Sequence, residues 1–113
     1  ADNIGITVTL EAEGPVINPA VYHAESGEFI KIGNEARSFS INAGDVVIIT
    51  TETNNKAVYL VRDGAKQEIN EYLDEDSDFI QLQHGTNTIR YTADAGEDYL
   101  NVTVSYRFRY LGV

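Results

Sequence analysis

Alternation of apolar and polar residues is the feature that most constrains what this chain can fold into. Near the beginning of the chain the apolar members are Ile4, Ile6, Val8 and Leu10, and near the end they are Leu100, Val102, Val104, Tyr106, Phe108 and Tyr110. A period of two places alternate side chains on opposite faces of a β-strand. We therefore predict a strand with one buried face at each end of the chain.

Turn signals separate the alternating segments at a spacing of roughly ten residues, which is typical of an all-β sandwich or jelly roll. They include Gly14-Pro15, Glu25-Ser26-Gly27, Asn42-Ala43-Gly44-Asp45, Asp63-Gly64 and Asp94-Ala95-Gly96-Glu97. Asp63-Gly64 is a strong hairpin signal, because a type I′ turn needs positive φ at both central positions. The segment 70–78 is the one candidate for a short helix. It is acidic and has no clear apolar stripe, so we expect a single turn or a loop there.

Length and charge restrict the classes of partner. A chain of 113 residues without cysteine is expected to form one domain, residues 1–113, without disulfides. Its formal net charge of −10 would repel phosphate backbones and anionic lipid surfaces. We therefore expect neither nucleic acid nor a membrane among its partners.

The acidic run 74–78 is the first place where a ligand could bind. Asp74, Asp76 and Asp78 have the alternate spacing of oxygen ligands in calcium loops. An EF-hand would also need Gly at the sixth loop position and Glu at the twelfth, which here are Phe79 and Gly85. We predict no metal site and a solvated loop, and we keep the three aspartates as metal-ligand candidates.

No pattern of catalytic residues stands out. The two histidines, His23 and His84, do not have the spacing of a metal-binding motif, and no G-x-S-x-G sequence marks a nucleophile. His84 precedes Gly85 in a predicted turn, where we expect it to be partly exposed. We predict a protein that is not an enzyme, with no catalytic residue and no cofactor.

The aromatic residues leave two interpretations open. Rings on a sheet face can stack on sugar rings, which would suit a lectin-like protein. Alternatively, Tyr106, Phe108 and Tyr110 belong to the apolar face of the last strand and are core or interface residues.

Two stretches near the end of the chain carry a resemblance to a known family. The first is 79–91, with Gly85, Asn87, Ile89 and Tyr91 in a G-x-N-x-I-x-Y pattern, and the second is 101–113, which ends Tyr-Arg-Phe-Arg-Tyr-Leu-Gly-Val. Together with Asn18-Pro19, 27–32 and Ala43-Gly44-Asp45, they resemble the C-terminal domain of phage distal tail proteins, the siphophage tail-component family. The resemblance covers nearly the whole chain.

That resemblance implies a galectin-like or jelly-roll β-sandwich cut from the C-terminal end of a longer tail protein. It also implies a structural module of the tail tip, or baseplate hub, that docks other tail or receptor-binding proteins. The parent would be a homo-hexamer found in the virion and, during assembly, in the host cytoplasm, whereas the isolated domain would be a monomer. A carbohydrate-binding module contacting host cell-wall glycans is the alternative, and no binding residue is assigned to either function.

Overall fold

The structure is a computed structural model that describes residues 4–52 and 55–106. These residues form eleven strands, all paired in antiparallel fashion. The strands are β1 (Ile4–Ala12), β2 (Val16–Ile17), β3 (Ala20–His23), β4 (Phe29–Lys31), β5 (Ser40–Ile41), β6 (Val46–Glu52), β7 (Asn55–Arg62), β8 (Ala65–Glu68), β9 (Gln81–Leu82), β10 (Ile89–Thr92) and β11 (Leu100–Tyr106). The predicted all-β fold is confirmed.

Strand β1 is an interior strand of the largest sheet. Ile6, Val8 and Leu10 are fully buried, as their alternation predicts. The strand pairs with β6 and with β11, and its first two residues pair with β9. The complete order of this six-stranded sheet is β11-β1-β6-β7-β8, with β9 attached to β1.

Two smaller sheets complete the sandwich. Strands β10, β3 and β4 form a three-stranded sheet in that order, and β2 pairs with β5. One cluster of buried side chains draws on all three sheets, with Val47 and Ile49 from the large sheet, Val21 and Ile30 from the three-stranded sheet, and Ile41 from the smallest. The apolar core therefore lies between the sheets, which is why interior strands such as β1 bury one face.

The predicted tight hairpin is present between β7 and β8. Asp63 has φ 53° and Gly64 has φ 79°, and the flanking residues Arg62 and Ala65 pair directly. Between β5 and β6 the predicted turn also forms, since the Asp45 N–H donates to the Asn42 carbonyl at 3.0 Å. These turns were readable from sequence because their geometry depends on local residues alone.

The segment 70–78 contains one 3-10 turn, Asn70–Tyr72, in agreement with the expectation of a single turn. A second 3-10 turn, Glu97–Tyr99, leads into β11. No helix in the described part of the chain has the length and apolar character needed to cross a membrane.

Strand β11 agrees with the predicted alternation only in part. Leu100 is buried, Val102 and Val104 are half-buried, and Tyr106 is 50% exposed. Tyr106 is therefore a surface residue and does not belong to the core, so of the expected core or interface position only the interface remains a prediction for it. Phe108 and Tyr110, predicted for the same face, lie outside the described residues.

Candidate functional site

The two ends of the large sheet differ in chemistry. Strand β11 has seven residues, none of them charged and none of them proline, and in the described part of the chain it pairs only with β1. At the other end, β8 has four exposed residues, among them Lys66 and Glu68. Short, charged edge strands resist pairing with another chain, whereas long uncharged ones offer a template for it. The outer edge of β11, with which no other described strand pairs, is therefore the edge better suited to binding a strand.

The outer face of the three-stranded sheet carries a row of large side chains. Tyr22 pairs with Phe29 on one side and with Arg90 on the other. Their neighbours Val21 and Ile30 are buried, so the alternation directs this row away from the core. We call Tyr22, Phe29 and Arg90 the aromatic strip; with strands about 4.8 Å apart it spans about 10 Å.

A pocket of about 250 Å³ lies where β5 meets β7 and β8. Its floor consists of the buried side chains Phe39, Leu60 and Ile69. The more exposed side chains that surround this floor are those of Ser38, Ser40, Arg62, Gln67 and Tyr72. We call this depression the β7–β8 pocket.

An ion pair fixes the arginine of the β7–β8 pocket. Arg62 donates from Nε to Asp45 Oδ1 at 3.0 Å and from Nη2 to Asp45 Oδ2 at 2.8 Å. This hydrogen bonding, assisted by the Asn42 N–H, holds the pKa of the buried Asp45 carboxyl below its usual range and raises the pKa of Arg62. A bidentate contact of this kind orients the guanidinium as well as neutralising it.

The aromatic residues of the β7–β8 pocket are also held in place. The rings of Phe39 and Tyr72 have centroids 5.1 Å apart at an interplanar angle of 54°. The Arg37 guanidinium lies 4.4 Å from the centre of the Tyr72 ring and pairs with Glu71 at 3.2 Å. The arginine over its face and the tilted contact with Phe39 together restrict the rotation of the Tyr72 ring.

His23 is the one buried histidine of the described chain, and no sequence motif predicts the side chains that surround it. It is 1% exposed, and its Nε2 lies 2.8 Å from Asn87 Oδ1. The Ser26 N–H donates to Nδ1 at 3.1 Å, so Nδ1 is unprotonated and Nε2 carries the proton that Asn87 accepts. The network joins the β3–β4 turn to the loop before β10. His84, expected to be partly exposed, is exposed.

Ser26 and His23 also stand in the geometry of a nucleophile and its base, with Ser26 Oγ 2.8 Å from Nδ1. Acyl transfer would need free N–H groups beside the serine to hold an oxyanion. The N–H groups of Ser26, Gly27 and Glu28 donate instead to His23 Nδ1, the His23 carbonyl and Ser26 Oγ. The arrangement therefore serves to close the turn.

The three aspartates of the acidic run do not converge. Asp74 accepts from the Asp76 N–H at 2.9 Å and from Asn34 Nδ2 at 3.1 Å, and these bonds lower the pKa of its carboxyl. The backbone N–H groups of Asp74 and Asp78 donate to the Lys31 and Phe29 carbonyls, which fastens the run to β4. Across residues 4–52 and 55–106, no group of three or more His, Asp or Glu is arranged to hold a metal ion.

Comparison with family models gives a match over most of the chain. Residues 2–110 match the model of the siphovirus-type tail component, C-terminal domain. The match extends over nearly all of the chain, as does the resemblance seen in the sequence. Neither the curated proteins nor the solved structures gave a match.

Proposed function

We propose that this chain, which belongs to the siphovirus-type tail component C-terminal domain family, docks other tail proteins through the outer edge of β11 at Leu100–Ser105. It is a structural component of a phage tail and hence of the virion. The further expectations, a position at the tail tip or baseplate hub, a longer hexameric parent, assembly in the host cytoplasm and the absence of enzymatic activity, are part of the same proposal.

The observation that carries this proposal is the contrast between the two ends of the large sheet. β11 is seven residues long and has no charged residue. β8 has only four residues, and its Lys66 and Glu68 discourage pairing with a strand of another chain. A strand of a neighbouring protein could add to β11 through backbone hydrogen bonds, with side chains on alternate positions giving specificity. The net charge of −10 keeps separate copies apart before such a partner is met.

The test is a binding assay between this domain and each of the other tail proteins of the same phage. Thr103→Lys places a charge on the exposed edge of β11, and Ala65→Lys places the same charge on the edge of β8. We expect a tail protein that binds the wild type and Ala65→Lys, and that binds Thr103→Lys at least about tenfold more weakly. Circular dichroism confirms that both variants remain folded. Equal binding of the two variants would contradict docking at β11.

Binding of a host cell-wall glycan is the second candidate function, and the aromatic strip favours it. Tyr22 and Phe29 are half-buried rings in register on adjacent strands, and Arg90 supplies hydrogen-bond donors beside them. Sugar rings stack on such faces while their hydroxyls bond to flanking polar groups. Saturable binding of the domain to extracted wall polysaccharide, lost in Tyr22→Ala and kept in Tyr59→Ala, would support this candidate.

A further inference from the structure

The core-facing side of β11 leaves apolar surface uncovered. Val102 and Val104 are only half-buried. Their partners on β1, Leu10 and Val8, are fully buried. A strand added to β11 would lie about 4.8 Å from it and would bring every second side chain alongside the two valines. Apolar side chains at those positions would cover the exposed surface, and its removal from water favours binding.

The opposite side of β11 is polar. Asn101, Thr103 and Ser105 alternate with the valines and are exposed. A strand beside them would place its remaining side chains next to amide and hydroxyl groups and in contact with water. Polar side chains are expected at these positions, so the partner strand alternates between apolar and polar residues as β11 itself does.

Acidic side chains gather where β11 begins. Glu97 and Asp98 belong to the 3-10 turn that leads directly into the strand, and both are exposed. On β1, Glu11 pairs with Asn101 and is exposed as well. Neither β1, nor β11, nor this turn contains a lysine or an arginine, and the next cationic residue in the sequence is Arg107, beyond the other end of β11. The electrostatic potential where β11 begins therefore favours a cationic group on the partner.

The direction of the partner strand follows from the sheets already present. All strand pairs of the described residues are antiparallel, and antiparallel addition brings the C-terminal end of a new strand to the start of β11. We infer that β11 binds an amphipathic, antiparallel strand of another tail protein, with apolar residues beside Val102 and Val104 and with lysine or arginine near its C-terminal end. This inference rests on the proposed docking at β11 and adds the chemistry and the direction of the partner.

The probes for this inference are four ten-residue peptides, each fused to the same monomeric carrier protein. The first has valine at alternate positions and threonine between them, with lysine in place of the last two threonines. The second has its two lysines in place of the first two threonines instead. The third has glutamate in place of the lysines of the first, and the fourth has serine in place of its valines. Titrations at low ionic strength follow the amide chemical shifts of 100–105 in the isotopically labelled domain.

We expect the first peptide to bind saturably and to move the amides of 100–105. The second and third peptides should bind about two- to tenfold more weakly, because their charges do not complement the acidic end of the edge and each exposed charge pair contributes little. The serine peptide should bind at least about fivefold more weakly, because it covers no apolar surface with apolar side chains. Added salt should reduce the difference between the lysine and glutamate peptides.

Two double variants of the domain test the acidic end of the edge. Glu97→Gln with Asp98→Asn removes the charges beside β11. Glu75→Gln with Asp76→Asn is the matched control, because these neighbouring acids are also exposed and their loss changes the net charge equally. The preference for the lysine peptide over the glutamate peptide should shrink in the first double variant and persist in the control.

Several results would overturn the inference and leave docking at β11 in place. They are equal binding of the lysine and glutamate peptides at low salt, equal binding of the valine and serine peptides, and a preference for lysine that survives the loss of Glu97 and Asp98. Equal binding of the first two peptides would overturn the direction of the strand.

The tail-protein assay separates failure of this inference from failure of the proposed function. If no peptide binds, but a tail protein still distinguishes Thr103→Lys from Ala65→Lys, the amphipathic strand is rejected and docking at β11 stands. If neither a peptide nor a tail protein binds at this edge, the proposed function fails together with the inference.

Discussion

At the scale of single residues, two of the buried polar side chains, Asp45 and His23, are each held by several hydrogen bonds. Asp45 is 6% exposed and shares two hydrogen bonds with Arg62 and one with the Asn42 N–H. His23 is equally enclosed and uses both ring nitrogens. In a medium of low dielectric, losing one partner of such a group leaves the other uncompensated, which costs more than the bond itself contributes.

Asp45→Asn should lower the free energy of unfolding by about 1–2 kcal/mol at neutral pH, because one charge-assisted bidentate contact is lost. In the folded protein the pKa of Asp45 is lowered. Its contribution is therefore complete above the ordinary aspartate pKa of about 3.9 and is lost as the pH falls below it. Urea denaturation at pH 7 and at pH 3 should show the difference from wild type shrinking in acid.

Glu68→Gln is the control for that comparison, since Glu68 is exposed on β8. It should change stability little at either pH. A loss in Asp45→Asn that is the same at both values of pH would show that the carboxylate charge is not the cause.

Asn87→Ala should destabilise the fold by about 1–3 kcal/mol, because it leaves the buried Nε2 of His23 without its acceptor. Asn87 also accepts from the Gln83 N–H and donates to the Gln83 carbonyl, so the loop before β10 loosens with it. The measurement is the denaturation midpoint, with Asn101→Ala on exposed β11 as the matched control. Equal midpoints for the two variants would show that the His23 network contributes nothing to stability.

At the scale of elements, strands β1 and β6 approach too closely for a side chain at one position. A Cβ at Gly5 would lie 2.5 Å from Glu52 Cα and 2.8 Å from the Thr51 carbonyl oxygen. The ladder changes here as well, since the Ile6 N–H donates to Thr51 Oγ1 and the Thr51 carbonyl accepts from the Gln81 side chain. At this end of β1, Ile4 and Gly5 pair with Leu82 and Gln81 of β9.

Gly5→Ala should destabilise the protein by about 1–3 kcal/mol, because the added Cβ meets main-chain atoms that cannot rotate away. Gly14→Ala is the matched control. Its Cβ would meet the Tyr99 ring at 2.8 Å, and that half-exposed side chain can move away more readily than the main chain of β6. Thermal unfolding should rank wild type, Gly14→Ala and Gly5→Ala in falling order. The reverse order for the two variants would contradict the close approach of β1 and β6.

At the scale of the whole molecule, one core shared by three sheets and a uniformly acidic composition define the domain. The core holds side chains from every sheet, so none of the sheets is expected to be stable without the others. The charge of −10 opposes self-association, and the uncharged edge of β11 is the place where another chain could pair.

We expect the isolated domain to be a monomer in light scattering at low ionic strength, because like charges repel over about 10 Å or more under those conditions. Raising the salt concentration screens that repulsion, so any association through β11 should grow with salt. A stable hexamer of the isolated domain at low salt would contradict this expectation.

The sequence by itself determined which face of β1 is buried and where several of the turns lie. Ile6, Val8 and Leu10 are buried because a period of two needs no knowledge of neighbouring strands. The turn at Asp63-Gly64 likewise follows from the φ angles that those two residues tolerate. Family membership was also visible in the G-x-N-x-I-x-Y pattern and in the closing residues of the chain.

Only the tertiary structure decided which strands are neighbours, and the candidate sites depend on that. The β7–β8 pocket joins Ser38 and Ser40 to Gln67 and Tyr72, and His23 meets Asn87 across 64 positions of sequence. Alternation specifies a face and leaves the pairing partner open, because antiparallel pairing between distant segments is selected by packing of the whole core. Tyr106 illustrates the same limit: the alternation places it on the face of Leu100, and only the structure shows that it is 50% exposed whereas Leu100 is 4% exposed.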